Sequence, residues 1–243
     1  MANNLRVFNS NSEYQSADLV HPAVSYVIET DKVIYEPTPV FKGKWKATYS
    51  DSHTESAQCG SSGEIVRNEI NLTNLVSVEI GNCVTRIGNR AFYQYTSLTN
   101  IDIPNSVTSI GGYAFWKCTS LTSIEIPDSV TSIDEGAFED CSTFTSCTIG
   151  SGVTSIGSFA FWNCSSLTSV TIPSGVTSIG ERAFQECRKF TSITVNAITP
   201  PRLGANTFYN TNNCKIYVTS ASVNAYKSAS GWSEYASRIQ PIP

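Results

Sequence analysis

Apolar positions along the chain return at a fixed interval. An Ile followed by Gly or Asp stands at Ile87, Ile110, Ile133, Ile156 and Ile179, and an Ala-Phe pair brings Phe92, Phe115, Phe138, Phe161 and Phe184. Every step is 23 residues, and a Thr-Phe variant at Phe208 follows one residue late. In one unit, LTSIEIPDSVTSIDEGAFEDCST, the apolar set is Leu121, Ile124, Ile126, Val130, Ile133, Ala137, Phe138 and Cys141. The L-x-x-I-x-I alternation puts Ile124 and Ile126 on one side of a short strand. Pro127 lacks an N–H, so the strand ends there. Ala137, Phe138 and Cys141 have helical spacing, which predicts a turn or two of helix on the opposite side.

A unit this small cannot bury its apolar face alone; stacked copies complete one another's interior and pair their strands. The expected fold is an α/β solenoid of five 23-residue coils over residues 76–196. A parallel sheet lies on one face and short helices on the other, with coils about 4.8 Å apart. Residues 1–75 do not follow the repeat and read as a β-rich region, either a cap over the first coil's exposed core or an anchor to a larger assembly: AVSYVIETDKVIYEP alternates around an E-T-D-K turn, and KWKATYSD suggests a second hairpin. Residues 197–243 read as an α+β cap, with a last strand at Ile216–Val218 and a short helix carrying Val223, Tyr226, Trp232 and Tyr235.

The repeat resembles the BspA-like (Treponema-type) leucine-rich-repeat family, whose consensus runs close to LTSITIPxSVTSIGxxAFxxC. Departures are local: Tyr95 stands where later units have Cys, Phe144 and Phe190 replace Leu, Cys147 replaces an inward Ile, and Gly150 replaces Pro. The resemblance implies a surface or secreted protein acting in adhesion and protein binding, as in Bacteroidales, spirochaetes and some protozoa. The segment ahead of the repeats resembles, over a shorter stretch, pieces that precede such repeats in gut Bacteroidales, Bacteroides among them, and in the phages that infect them. That implies a second reading, a structural or host-attachment component of a virion docked through residues 1–70.

If Ile101 and Ile103 point inward, the outward positions form two columns. One holds Ser77, Asn100, Ser123, Ser146, Ser169 and Ser192; the other holds Glu79, Asp102, Glu125, Thr148, Thr171 and Thr194. Three carboxylates at successive coils repel one another unless countered, so Glu79, Asp102 and Glu125 are candidates to receive a cation or a basic segment of a ligand. On the other side, Tyr113 with Trp116 and Phe159 with Trp162 sit three apart and are candidates for an exposed aromatic ridge that stacks on a sugar or enters a partner. Cys118, Cys141, Cys164 and Cys187 recur at one inward position and read as buried free thiols. Cys59 and Cys83 fall outside that ladder and are candidates for a disulfide in an oxidising setting.

Composition narrows the function. The net charge of −4, without a basic run, argues against nucleic acid and anionic membranes. No stretch approaches the length of a membrane-spanning helix, and the first residues lack the apolar core of a signal peptide. The only histidines are His21 and His53, both outside the repeats, and no phosphate loop, dinucleotide fingerprint or nucleophile elbow is present. The expectation is therefore a non-catalytic recognition or adhesion protein without a cofactor or metal, taking a protein or glycan ligand. Its expected address is a cell surface or the extracellular space, with a phage particle as the alternative.

Overall fold

The computed structural model describes residues 75–243 throughout and, ahead of them, the backbone of seven short strands between Asn3 and Ile65. The chain divides into two units, one of residues 1–40 with 68–70, the other of residues 41–67 with 71–243. In the first, Asn3–Phe8 pairs antiparallel with Tyr14–Leu19, and Ser25–Glu29 pairs antiparallel with Lys32–Glu36. The second unit is the solenoid.

Each coil crosses three ladders. The broad one is built from Leu75–Ile80, Asn100–Asp102, Ser123–Ile126, Ser146–Ile149, Ser169–Ile172, Ser192–Val195 and Lys215–Val218, parallel wherever they pair with one another. The expected alternation holds: Ile124 and Ile126 are buried between exposed Ser123 and Glu125. The second ladder is narrow, seven two-residue strands running from Glu64–Ile65 to Arg202–Leu203 in one continuous parallel sheet. The stack therefore extends one coil beyond the five clear repeats at each end.

The third ladder differs from expectation. The short helices predicted around Phe92, Phe115, Phe138, Phe161 and Phe184 are hydrogen-bonded turns, and among the described residues helix occurs only in the C-terminal cap. The hydrogen bonds give the reason. In the coil of Phe115, the amides of Ala114, Trp116 and Cys118 close turns on Gly111, Tyr113 and Phe115 of their own coil, while those of Tyr113, Phe115 and Lys117 donate to Glu135, Ala137 and Glu139 of the next. A helix would spend every amide within its own coil. Alternating them bonds each turn to the next, at the cost of two left-handed residues per coil, such as Tyr113 and Lys117, both with φ of 56°. Close stacking also demands glycine where coils touch: a Cβ at Gly180 would lie 2.3 Å from the amide nitrogen of Ser158.

One column of phenylalanines runs through the interior. Phe92, Phe115, Phe138, Phe161, Phe184 and Phe208 are buried, with successive ring centroids 5.1–5.8 Å apart and nearly parallel planes. Beside it runs the cysteine ladder. The thiols of Cys118, Cys141, Cys164 and Cys187 donate to the carbonyls of Phe92, Phe115, Phe138 and Phe161 at 3.1–3.2 Å. Cysteine thus fills a small volume and gives a second donor to a carbonyl that already closes a turn in its own coil. On the surface, the hydroxyls of Thr108, Thr131, Thr154 and Thr177 each donate to the carbonyl of the threonine one coil back, at 3.0–3.2 Å.

Both ends of the broad sheet are covered. Trp45–Tyr49 pairs antiparallel with Leu75–Ile80 and carries Thr54–Ala57 on its outer edge. At the far end Ile239–Pro241 pairs with Lys215–Val218, while Trp232 and Tyr226 close the last core layer. Their polar tips reach the main chain: Trp232 Nε1 donates to Pro201 O at 2.7 Å and the Tyr226 hydroxyl to Ala197 O at 2.8 Å. Arg238 ties the cap down through the carbonyls of Cys214 and Phe208 and the hydroxyl of Thr211.

Candidate binding surface

Strand alternation carries the outward columns into solvent. Glu79, Asp102 and Glu125 are exposed, as are Asn100, Ser123, Ser146, Thr148, Ser169 and Thr171. Asp102 is the register partner of Glu79, and Lys46 holds the register position on the other side of Glu79.

Among the described residues the broad sheet parts twice: no ladder joins Asn100–Asp102 to Ser123–Ile126, and none joins Ser146–Ile149 to Ser169–Ile172, although each strand pairs with its other neighbour. At the second parting the amide and hydroxyl of Thr168 still donate to Thr145 O. The amide and hydroxyl of Thr99 donate to Val76 O, and those of Thr145 to Thr122 O, whereas the corresponding bonds from Thr122 to Thr99 are missing. Ile103, the last inward residue before the opening, is only half-buried, although its counterparts Ile126, Ile149 and Ile172 are buried. A trough of about 940 Å³ occupies this region. Asp102, Glu125, Asp128, Asn82, Asn100 and Asn105 contribute its polar wall, and among the described residues the lining includes no Lys, Arg or aromatic side chain. Asp128 is already engaged, accepting from the amide and hydroxyl of Ser151 at 2.6 and 3.0 Å, which holds its carboxyl below the ordinary range.

The aromatic ridge is more tied down than an exposed ridge would be. Tyr113, Trp116, Phe159 and Trp162 are all half-buried. Trp116 stacks on Tyr93 with centroids 4.4 Å apart, donates from Nε1 to Glu139 Oε1 at 3.0 Å, and carries the Lys117 ammonium 4.2 Å above its ring. The Tyr113 hydroxyl donates to Glu135 Oε1 at 2.7 Å; that bond, with burial second, pushes its pKa up to about 12. Its ring lies over Gly136, where a Cβ would come within 2.4 Å of it. The absence of a side chain at position 136 is thus the counterpart of the tyrosine one coil earlier. Phe159 lies under the Arg182 guanidinium, 5.6 Å from its centroid. The cations of Arg90, Lys117 and Arg182 stand where the sequence pattern drew no notice: Arg90 and Arg182 reach rings of a neighbouring coil, and Lys117 lies over its own neighbour Trp116.

Burial raises the thiol pKa across the cysteine ladder, to about 12 at Cys141. Cys83 is disulfide-bonded, while Cys59, its expected partner, lies outside the described residues. Among the described residues no group of three or more His, Cys, Asp or Glu side chains is arranged to hold a metal ion, and no helix is long and apolar enough to cross a membrane.

No curated protein sequence matches the chain. Among solved structures it is similar to a leucine-rich-repeat protein of Treponema pallidum, with 25% identity, a TM-score of 0.51, and 74% of this chain and 80% of that chain covered. It is also similar to a leucine-rich-repeat protein from Bacteroides ovatus, with 19% identity, a TM-score of 0.46, and 83% and 71% covered. A leucine-rich cell surface protein from Faecalibacterium prausnitzii gives 26% identity, a TM-score of 0.42, and 68% and 56% covered. The family profile of the BspA type leucine-rich repeat region matches in six copies, spanning residues 64–170 and 137–230. With this coverage, and with coils stacked in the register its repeat demands, the chain belongs to the BspA-type leucine-rich-repeat family.

Proposed function

We propose that the protein is a non-catalytic recognition or adhesion module that binds another protein at a cell surface through the open face of its broad sheet. The observation that carries this reading is the contrast between the faces of those strands. Inward residues are consumed by the core, whereas Asn100, Asp102, Ser123, Glu125, Ser146, Thr148, Ser169 and Thr171 stand exposed on a rigid, regularly spaced frame. Such a surface offers many polar contacts at little conformational cost, the arrangement from which repeat proteins build extended binding faces. The half-buried turn aromatics are spent largely on neighbouring coils, which argues for the strand face. We assign recognition to the coils of residues 76–196, termination to residues 197–243, and capping or attachment to residues 1–75.

Site-specific photo-crosslinking tests the assignment. A benzophenone side chain is placed at Ser169 on the strand face, at Trp162 on the turn face, or at Lys227 in the cap, and the full chain is exposed to intact cells. A defined protein partner crosslinked from Ser169 and not from the other two is the expected result. Crosslinking from Trp162 alone would assign recognition to the turn face instead.

A further inference from the structure

The C-terminal cap treats the three ladders differently. It lies over the turn ladder, where the rings of Trp232 and Tyr235 sit 5.7 and 5.5 Å from that of Phe208. It also lies over the narrow ladder, where a Cβ at Gly231 would come 3.1 Å from the Leu203 carbonyl oxygen. The broad ladder instead ends, among the described residues, in the strand Ile239–Pro241, which pairs with Lys215–Val218 on one side only. A free strand edge presents main-chain donors and acceptors to any other strand that meets it. Ile242, 39% exposed, adds an apolar side chain beside this one.

The register fixes which groups lie on the edge. In a parallel strand the amide and carbonyl of one residue face the same neighbour, and those of the next residue face away. Ile216 N donates to Arg238 O at 3.0 Å, and Ile242 N donates to Val218 O at 2.9 Å. Ile239 stands opposite Ile216, and Pro241 opposite Val218. Arg238, Gln240 and Ile242 therefore turn their main chain toward the sheet, while Ile239, Pro241 and Pro243 turn theirs outward. Both prolines fall on outward places, and proline has no N–H to offer. The ladder needs the amides of Gln240 and Ile242, and neither is proline. Of these three outward residues only Ile239 keeps a donor. The exposed rings of Pro241 and Pro243 stand where a further strand would approach.

We propose that Pro241 and Pro243 form an edge stop, which keeps the broad sheet from continuing into the same strand of a second copy of the chain. Without them this strand would pair with its twin about a twofold axis, each copy giving and receiving the same bonds. With them, each copy retains one outward amide of three, and the rings hold the two main chains apart. The stop is independent of which face of the coils takes a partner.

Sedimentation velocity of the full chain over a range of concentrations tests the stop. Pro241→Ala with Pro243→Ala restores both outward amides and should tighten self-association at least about tenfold. Filling both positions with N-methylalanine by semisynthesis removes the rings but adds no N–H, and should leave association well below that of the alanine variant. Pro200→Ala, at a proline outside every strand, should sediment as the parent chain does. Identical sedimentation of the parent and the alanine double variant overturns the stop. So does association of the N-methylalanine protein, or of Pro200→Ala, equal to that of the alanine double variant. If the double variant loses the circular dichroism of the parent, Pro241→Ala alone decides in the same way, with tighter association upholding the stop and parent-like sedimentation overturning it.

Discussion

Gly136 is where a neighbouring side chain, rather than the backbone alone, requires glycine, and Gly136→Ala measures that requirement. Its φ of 61° is one that Arg90, Tyr113, Phe159 and Arg182 adopt at the same place in their coils with side chains attached, so the backbone contribution is modest, about 1 kcal/mol. The larger effect is steric. The new Cβ would lie 2.4 Å from the Tyr113 ring, so the ring must leave, breaking the 2.7 Å bond from its hydroxyl to Glu135. Loss of that bond costs about 0.5–1.5 kcal/mol, and displacement of a half-buried ring adds a similar amount. The single variant should therefore lose about 2–4 kcal/mol. In a Tyr113→Ala background only the mobile Glu139 Oε2, 3.1 Å from the new Cβ, must give way, and the same substitution should cost only about 1 kcal/mol. Urea unfolding of the four proteins in a double-mutant cycle, followed by far-ultraviolet circular dichroism, reads the difference as a coupling of about 1–3 kcal/mol. Additivity within about 0.5 kcal/mol would refute the reasoning and leave Tyr113 free to be a ligand contact.

The two ridge tryptophans should behave differently: Trp116→Ala removes a ring stack and an indole hydrogen bond and should lower stability by about 1–3 kcal/mol, while Trp162→Ala should cost clearly less; equal losses in denaturant melts would contradict the contacts described. Glu139 is raised above its ordinary value of 4.5, mainly by burial, so its proton is held more tightly in the folded state. Its contribution is present below 4.5 and is lost as pH rises through the higher folded value. Glu139→Gln should therefore flatten the stability profile across that window, and an unchanged profile in pH-dependent melts would show the carboxyl to be solvated. The six free cysteines among the described residues, five of them buried, should resist Ellman's reagent in the native chain and all react after denaturation. Under non-reducing conditions a peptide map should recover Cys59 linked to Cys83; recovery of Cys59 as a free thiol would reject that pairing.

The 23-residue spacing of Ile and Phe contained the solenoid, the inward column and the exposed strand residues, because each follows from a period and an alternation local to one coil. What happens between coils was decided only in three dimensions. The segment around Phe138 has helical spacing, yet its amides alternate between their own coil and the next, since bonding to a stacked neighbour competes with bonding along a helix axis. Cysteine recurs not only for its volume but because a thiol there reaches a phenylalanine carbonyl 26 residues back. The turn aromatics looked exposed at their spacing of three, but their partners, Tyr93, Glu135, Glu139 and Arg182, lie about one coil away. The acidic column was legible in sequence; the opening beside it was not. Whether two adjacent strands pair depends on how the core beneath them fills rather than on the outward residues: Glu79 and Asp102 pair despite like charges, whereas no ladder among the described residues joins the strands of Thr148 and Thr171, and that filling is a property of the stacked coils rather than of any one repeat.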